Sequence, residues 1–198
     1  MERLILARHG ESTASAHGLV NGDPAAGVGL TPAGEEQARA LGRTLAAEPL
    51  DLCVVTAFPR TRATAALALA GRVVPVEEEP GLGDPGAGRF EGCHLDEYRA
   101  WAWAAGSGEP APGGGESRRA IVDRYAAACR ALLARPEGSI LVVAHALAIA
   151  YLLAAREGTP PAARMDRTVA YAEPYPVAAD ELAAALAVLD RWREAPTW

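Results

Sequence analysis

The sequence predicts an α/β fold in which short apolar strands alternate with helices around an open, parallel sheet. Three stretches, Leu4–Ala7, Leu52–Val55 and Ser139–Val143, are short and apolar, and a helical pattern follows each of them. His9 and His145 stand at the ends of the first and last of these strands. Because the carboxyl ends of parallel strands share one sheet edge, where such folds bind ligands, the two imidazoles are expected to lie close together.

The composition favours one domain over residues 1–198, since the chain has 198 residues and half of them are apolar. A net charge of −6 argues against a nucleic-acid-binding surface. The three cysteines are widely spaced and odd in number, which is typical of reduced cytosolic thiols. The longest apolar run, Ile140–Ala155, is too short for a membrane span. We expect a soluble, cytoplasmic protein without nucleic-acid or membrane partners; its oligomeric state stays open.

The first half of the chain continues as a loop over Ser12–Leu30. Thr31-Pro32 then predicts a helix start, with a hydroxyl N-cap and proline at the first helical position, and Pro49 follows that helix. The second strand leads into a predicted helix from Pro59 to about Ala70. Arg72–Val76 is predicted to form the third strand.

The second half begins with an irregular segment, Glu77–His94, which is rich in glycine and proline. The strand Ser139–Val143 is nearly all apolar and is predicted to be central in the sheet. The other predicted elements are a helix over 95–103, a loop over 104–115, helices over 116–133 and 146–155, a last strand over 168–172 and a helix over 179–193.

Two arginines are predicted to join the two histidines. Arg8 precedes His9, and Arg60 lies in the first turn of a helix, where its charge opposes the helix dipole unless an anion binds there. Arg62 is interpreted as an exposed arginine. The four residues predict an anion site, because guanidinium groups grip phosphoryl oxygens and a neutral imidazole can attack phosphorus. No metal-ligand cluster or phosphate-binding glycine loop occurs, so neither metal nor cofactor is predicted.

Six motifs in this chain resemble those of the histidine phosphatase superfamily, the group named for the cofactor-dependent phosphoglycerate mutases. Arg8-His9-Gly10-Glu11-Ser12 is similar to its RHGE[ST] signature, and Val142–His145 is similar to the strand that carries its second histidine. The others lie at 30–38, 56–65, 82–92 and 115–124. The resemblance covers most of the chain and implies a phosphoglycerate mutase-like, three-layer α/β/α sandwich with a mostly parallel sheet.

The resemblance also implies residue roles. His9 would be the nucleophile, and Arg8, Arg60 and His145 would form the phosphate pocket. Asp84 would be the proton donor, in a place where the family usually has glutamate.

Two assignments stay open. Glu91 is the rival of Asp84 as proton donor; if Asp84 is the acid, apolar neighbours and an incoming phosphoryl group should favour its protonated form. Ser15 stands where asparagine is common near the phosphate, and Asn21 is the alternative source of that contact.

The predicted function is a metal-independent phosphatase that hydrolyses a small phosphomonoester, or a phosphorylated side chain, through a phosphohistidine on His9. The alternative is a mutase that returns the phosphoryl group to its substrate. An inactive binding module is disfavoured because both histidines and both arginines are present. The substrate is not identified; Arg89, Arg99 and Arg118 could contact a second anionic group, but they are interpreted as surface arginines.

Overall fold

The computed structural model describes residues 1–198 and contains one five-stranded sheet. Its strands are β1 (Arg3–Arg8), β2 (Leu52–Val55), β3 (Val76–Glu78), β4 (Ser139–Ala144) and β5 (Pro174–Ala178). They lie in the order β3-β2-β4-β1-β5. The first four are parallel to one another, and β5 runs antiparallel to β1. The predicted α/β class with a mostly parallel sheet is therefore confirmed.

Helices cover both faces of the sheet. They are α1 (Thr13–Ala16), α2 (Pro32–Thr44), α3 (Pro59–Ala68), α4 (Leu95–Ala104), α5 (Arg118–Leu133), α6 (Ala146–Arg156) and α7 (Ala179–Glu194). Alternate side chains of β1 point to opposite faces: Leu4 and Leu6 pack with α5, α6 and α7, whereas Ile5 and Ala7 pack with α2 and α3. Each face has its own apolar core, so the three-layer sandwich is confirmed.

The pairing of β1 with β4 positions the two histidines. All six residues of β4 are buried, and the strand lies between β1 and β2, which confirms that it is central. Arg8 is in register with Ala144, and the His9 N–H donates to the Ala144 carbonyl at 3.0 Å. His9 and His145 therefore leave adjacent strands at the same sheet edge.

Two strand predictions are wrong. Over 72–76 only Val76 belongs to β3; Val73 is fully exposed, and the Arg72 guanidinium instead donates to backbone carbonyls that follow α2. The predicted last strand, 168–172, is not part of the sheet. Its backbone pairs with β1 only at Tyr171 and Ala172, and Ala172 then turns with a positive φ of 51°.

The strand β5 was missed because prolines occupy alternate positions, Pro174 and Pro176. Proline is tolerated on an edge strand, where an N–H that would face solvent is not needed for pairing. Because β5 lies at the edge of the sheet, the prolines do not interrupt it.

The end of β1 and the start of α2 approach so closely that both must carry glycine. A Cβ on Gly10 would lie 2.3 Å from the Gly34 carbonyl oxygen, and a Cβ on Gly34 would lie 2.0 Å from the Glu11 carbonyl oxygen. The Glu11 N–H donates to Gln37 at 2.8 Å, and the Thr31 hydroxyl donates to the Glu11 carboxylate at 2.8 Å. The sequence motifs at 8–12 and 30–38 are thus the two sides of one contact.

We expect Gly34→Ala to lower the free energy of unfolding by about 1–3 kcal/mol, because the methyl group must displace backbone. Alanine is a better helix former than glycine, so without the close contact the substitution would raise the stability. A loss of stability therefore indicates the contact. The control is Gly108→Ala, where no atom lies within 4 Å of the new Cβ. Urea denaturation measures both, and equal stabilities of the two variants would contradict the contact.

Candidate active site

His9 is held in one tautomer by its two ring contacts. It is buried, with 3% of its surface exposed. Its Nδ1 lies 2.7 Å from the Gly10 carbonyl oxygen, and the Nε of Arg60 lies 3.1 Å from its Nε2. A carbonyl can only accept and a guanidinium can only donate, so the partners assign the proton to Nδ1. Nε2 is therefore unprotonated, and its lone pair, which accepts from Arg60, can attack an electrophile once that hydrogen bond is exchanged.

The surroundings of His9 also keep it neutral. Burial lowers the pKa of His9 well below 6.5, and the nearby His145 and Arg60 lower it further. The contact with Gly10 and the charge of Asp84 act in the opposite direction without reversing the shift. A neutral imidazole is the nucleophilic form, so His9 is available for attack at neutral pH.

Arg60 connects the groups of the site. It is 2% exposed, and Pro59 at the first position of α3 starts the helix beside it. Its NH2 group donates to the Asp84 carboxylate at 2.9 Å and to the Asn21 carbonyl at 3.0 Å, and its NH1 group donates to the Asn21 side chain. One buried guanidinium thus contacts four predicted site residues: His9, Asn21, Asp84 and His145, whose Nδ1 lies 3.2 Å from NH2.

Arg62 lies outside this network. It is half-exposed and pairs with Glu78 at 2.6 Å. The prediction that Arg60 rather than Arg62 faces the anion site is consistent with this placement.

His145 lies beside His9 at the sheet edge. It is fully buried, and the two ring centroids are 5.3 Å apart. Its Nε2 lies 3.0 Å from the Thr56 hydroxyl, and its Nδ1 lies 3.4 Å from the Asp84 carboxylate. Burial lowers the pKa of His145, although Asp84 opposes the shift. Its Nδ1 therefore points into the same space as His9 Nε2 and Arg60.

The Asp84 carboxylate has charged neighbours, which corrects the prediction of an apolar surrounding. Its side chain is 29% exposed and opens into the cavity. Burial acts to raise the pKa of Asp84, but the interactions with His145, Arg60 and His9 outweigh it and hold that pKa far below the usual range. Without substrate, Asp84 is therefore ionised.

Arg124 fixes the loop that carries Asp84. Its guanidinium donates to the carbonyls of Gly81, Gly83 and Asp84 at 2.8–3.1 Å and is itself held by the Glu116 carboxylate. The sequence motif over 115–124 thus acts on the site through the loop rather than by direct contact.

Glu91 has a different place from Asp84. Its two oxygens accept from the N–H groups of Gly22 and Ala87 at 2.8 and 2.9 Å. It joins two loops, and it does not line the cavity.

Ser15 lies on the cavity wall, where its hydroxyl bonds to Ser12 at 2.8 Å. Ser15 and Asn21 are the two candidates for the contact that asparagine makes near the phosphate in the family. Of these, Asn21 contacts Arg60, whereas Ser15 bonds to Ser12.

Arg8 forms another side of the site. Its guanidinium stacks 3.7 Å from the Tyr171 ring centroid and donates to the Val169 carbonyl at 3.0 Å. Sequence reasoning missed Tyr171 and Thr56. Thr56 directly follows β2, so the argument from strand ends that located His9 and His145 could have found it; no local pattern marks Tyr171.

The site opens into a cavity of about 450 Å³. Arg8, His9, Arg60 and Asp84 lie on its wall, and apolar wall surface comes from Leu19, Trp103, Leu147 and Met165. The His, Cys, Asp and Glu side chains form no group of three or more that could hold a metal ion. None of the helices has the length and apolar character needed to cross a membrane.

A family model of the histidine phosphatase superfamily (branch 1) matches residues 4–189. The chain belongs to this superfamily.

The superfamily relatives include both hydrolases and a mutase. The adenosylcobalamin/alpha-ribazole phosphatase of Salmonella typhimurium is 32% identical over 169 residues, covering 82% of this chain and 83% of the relative. The 2,3-bisphosphoglycerate-dependent phosphoglycerate mutase of Methylobacterium sp. is 32% identical over 175 residues, covering 80% of this chain and 82% of the relative. The crystal structure of the alpha-ribazole phosphatase from Shigella flexneri superposes with a TM-score of 0.69 at 31% identity, covering 80% of this chain and 81% of that structure.

For this histidine phosphatase site we expect His9 to stay neutral at pH 6.0, with its proton on Nδ1, because its pKa is lowered by burial and by its neighbours. Long-range ¹H–¹⁵N correlation spectra of the imidazoles measure the tautomer and the titration, and His9→Ala assigns the signals. A titration midpoint at or above 6.5, or a proton on Nε2, would contradict the assignment.

Proposed function

We propose that this protein is a phosphatase that hydrolyses a small phosphomonoester, or a phosphorylated side chain, through a phosphohistidine on His9 and without a metal ion. The observation that carries the proposal is the His9 Nε2 lone pair, which faces a cavity next to Arg60 and His145. The contact with Gly10 orients this lone pair before substrate binds.

In the first step the Nε2 lone pair attacks phosphorus and the P–O bond to the alcohol breaks. Arg8, Arg60 and His145 stabilise the charge on the phosphoryl oxygens. The Asp84 carboxyl group gives its proton to the departing oxygen. A dianionic phosphoryl group beside Arg60 would offset the positive charge that helps to keep Asp84 ionised, and would thereby raise the pKa of Asp84 towards the protonated form.

In the second step water attacks the phosphohistidine. Asp84, now a carboxylate, takes a proton from that water, and the N–P bond breaks. Inorganic phosphate leaves, and His9 returns to its neutral Nδ1–H form. The same carboxylate thus acts as acid and then as base.

The candidate substrates are small phosphorylated metabolites. Two phosphatase relatives are named for adenosylcobalamin and alpha-ribazole, and the apolar cavity wall could hold a comparable leaving alcohol. A mutase at similar identity keeps phosphoryl return to substrate as the second candidate. Free thiols at Cys53, Cys93 and Cys129 support a reducing, cytoplasmic location.

We expect phosphate release from phosphomonoesters that persists after treatment with a chelator. A panel of phosphorylated metabolites is incubated with enzyme, with and without EDTA, and inorganic phosphate is measured. Isomerisation of 3-phosphoglycerate in the presence of a bisphosphoglycerate primer is followed in parallel. Isomerisation that exceeds phosphate release would favour the mutase, and activity that requires an added divalent metal would overturn metal independence.

We expect Asp84→Asn to slow hydrolysis of alkyl phosphates by about 10²–10⁴-fold, the usual effect of losing a general acid. It should slow p-nitrophenyl phosphate much less where phosphoryl transfer limits the rate, because p-nitrophenolate leaves without a proton. Steady-state kcat/KM on both esters measures the difference.

Glu91→Gln is the matched control, since Glu91 joins loops rather than facing the cavity. It should slow both esters alike. If only the effect of Glu91→Gln on kcat/KM depends on the leaving group, or if Asp84→Asn slows both esters equally, Asp84 is not the acid.

A further inference from the structure

Arg118 is buried, although the sequence interpretation placed it on the surface. It is 9% exposed and lines the same cavity as His9 and Asp84. Its Nε is buried without any hydrogen-bond partner, and it forms no ion pair. A desolvated guanidinium without an acceptor is costly, so a buried arginine normally has a partner.

The position of Arg118 in the fold adds to this cost. It is the first residue of α5, and Ser117 is the N-cap, whose hydroxyl accepts from the Ala120 N–H at 3.2 Å. The positive end of a helix dipole disfavours a cation there. The adjacent carboxylate, Glu116, is already bound to Arg124.

A phenol near Arg118 also lacks a partner. The Tyr98 hydroxyl belongs to a side chain that lines the cavity, and it is buried and makes no hydrogen bond. The Arg118 guanidinium carbon lies 5.8 Å from the Tyr98 ring centroid. Burial raises the pKa of Tyr98, and the charge of Arg118 opposes the shift. Arg118 and Tyr98 thus both have unused hydrogen-bond donors at the cavity wall.

The other cavity arginines differ from Arg118. Arg99 is exposed and bonds to Asp96, and Arg167 pairs with Glu157. Arg8 also has an unpartnered Nε, but it donates to the Val169 carbonyl and stacks on Tyr171 beside His9. The Arg118 side chain, by contrast, donates no hydrogen bond at all.

We propose that Arg118, with the Tyr98 hydroxyl, binds a second anionic group, a carboxylate or phosphate, on the leaving-alcohol side of the substrate. This rests on the proposed phosphatase function and narrows its substrate class. Such a group accepts charge-assisted hydrogen bonds from a guanidinium and a further hydrogen bond from a phenol. It would satisfy the buried donors and offset the charge at the start of α5.

Two substrate pairs that differ in one anionic group test the proposal. 3-Phosphoglycerate and glycerol 3-phosphate differ in a carboxylate, and fructose 1,6-bisphosphate and fructose 6-phosphate differ in a second phosphate. We expect wild-type kcat/KM to favour the doubly anionic member of at least one pair by about 10- to 100-fold, the range for a hydrogen bond to a charged group. Arg118→Met should reduce that ratio to about one to three, and Arg118→Lys should retain part of it.

Arg119→Met is the matched control, because Arg119 is exposed one position along the same helix and does not line this cavity. It should keep the wild-type ratio. Arg118→Met should also keep or raise the melting temperature, since it removes an unpaired buried charge. Absence of a preference in both pairs, or a preference that survives Arg118→Met, would overturn the proposal.

Binding to the His9→Ala protein, measured by calorimetry with the same four esters, separates this proposal from the catalytic one. Tighter binding of a doubly anionic ester that depends on Arg118, without hydrolysis by the wild type, would leave the subsite intact and overturn the phosphatase. Hydrolysis by the wild type, combined with binding that is independent of Arg118, would support the phosphatase and overturn the Arg118 subsite.

Discussion

The buried guanidinium of Arg60 is the interaction on which the site depends. It donates to His9, Asp84 and the Asn21 side chain, and it lies beside His145. Because burial penalises its charge, the protein surrounds it with acceptors, and Asp84 supplies the only carboxylate among them. A phosphoryl group that enters the cavity would compete for the same donors and would release Asp84 for proton transfer.

The parts of the fold with strong local patterns could be predicted. β1 and β4 are short apolar runs, and their parallel pairing follows from the alternation of strands with helices, which brings His9 and His145 to one edge. The edge strands could not be placed. β3 is short and exposed, and β5 carries two prolines, so neither has the apolar pattern on which strand prediction relies.

The site was predictable in its residues more than in its electrostatics. The motifs identified Arg60 and Asp84, but the ionised state of Asp84 depends on a loop that Arg124 fixes from α5. The burial of Arg118 likewise arises from long-range packing. No local pattern in the sequence reveals that an arginine has no partner, and for that reason the sequence alone favours a surface position for Arg118.

We propose that His9 Nε2 carries the phosphoryl group between alcohol and water. Rapid quenching of wild-type enzyme with a substrate labelled in its phosphoryl group, followed by peptide analysis under alkaline conditions, tests it most directly. The account predicts an acid-labile label on Nε2 of His9 that forms and decays as fast as turnover. A label on another residue, or turnover by an His9→Ala enzyme at the wild-type rate, would contradict it.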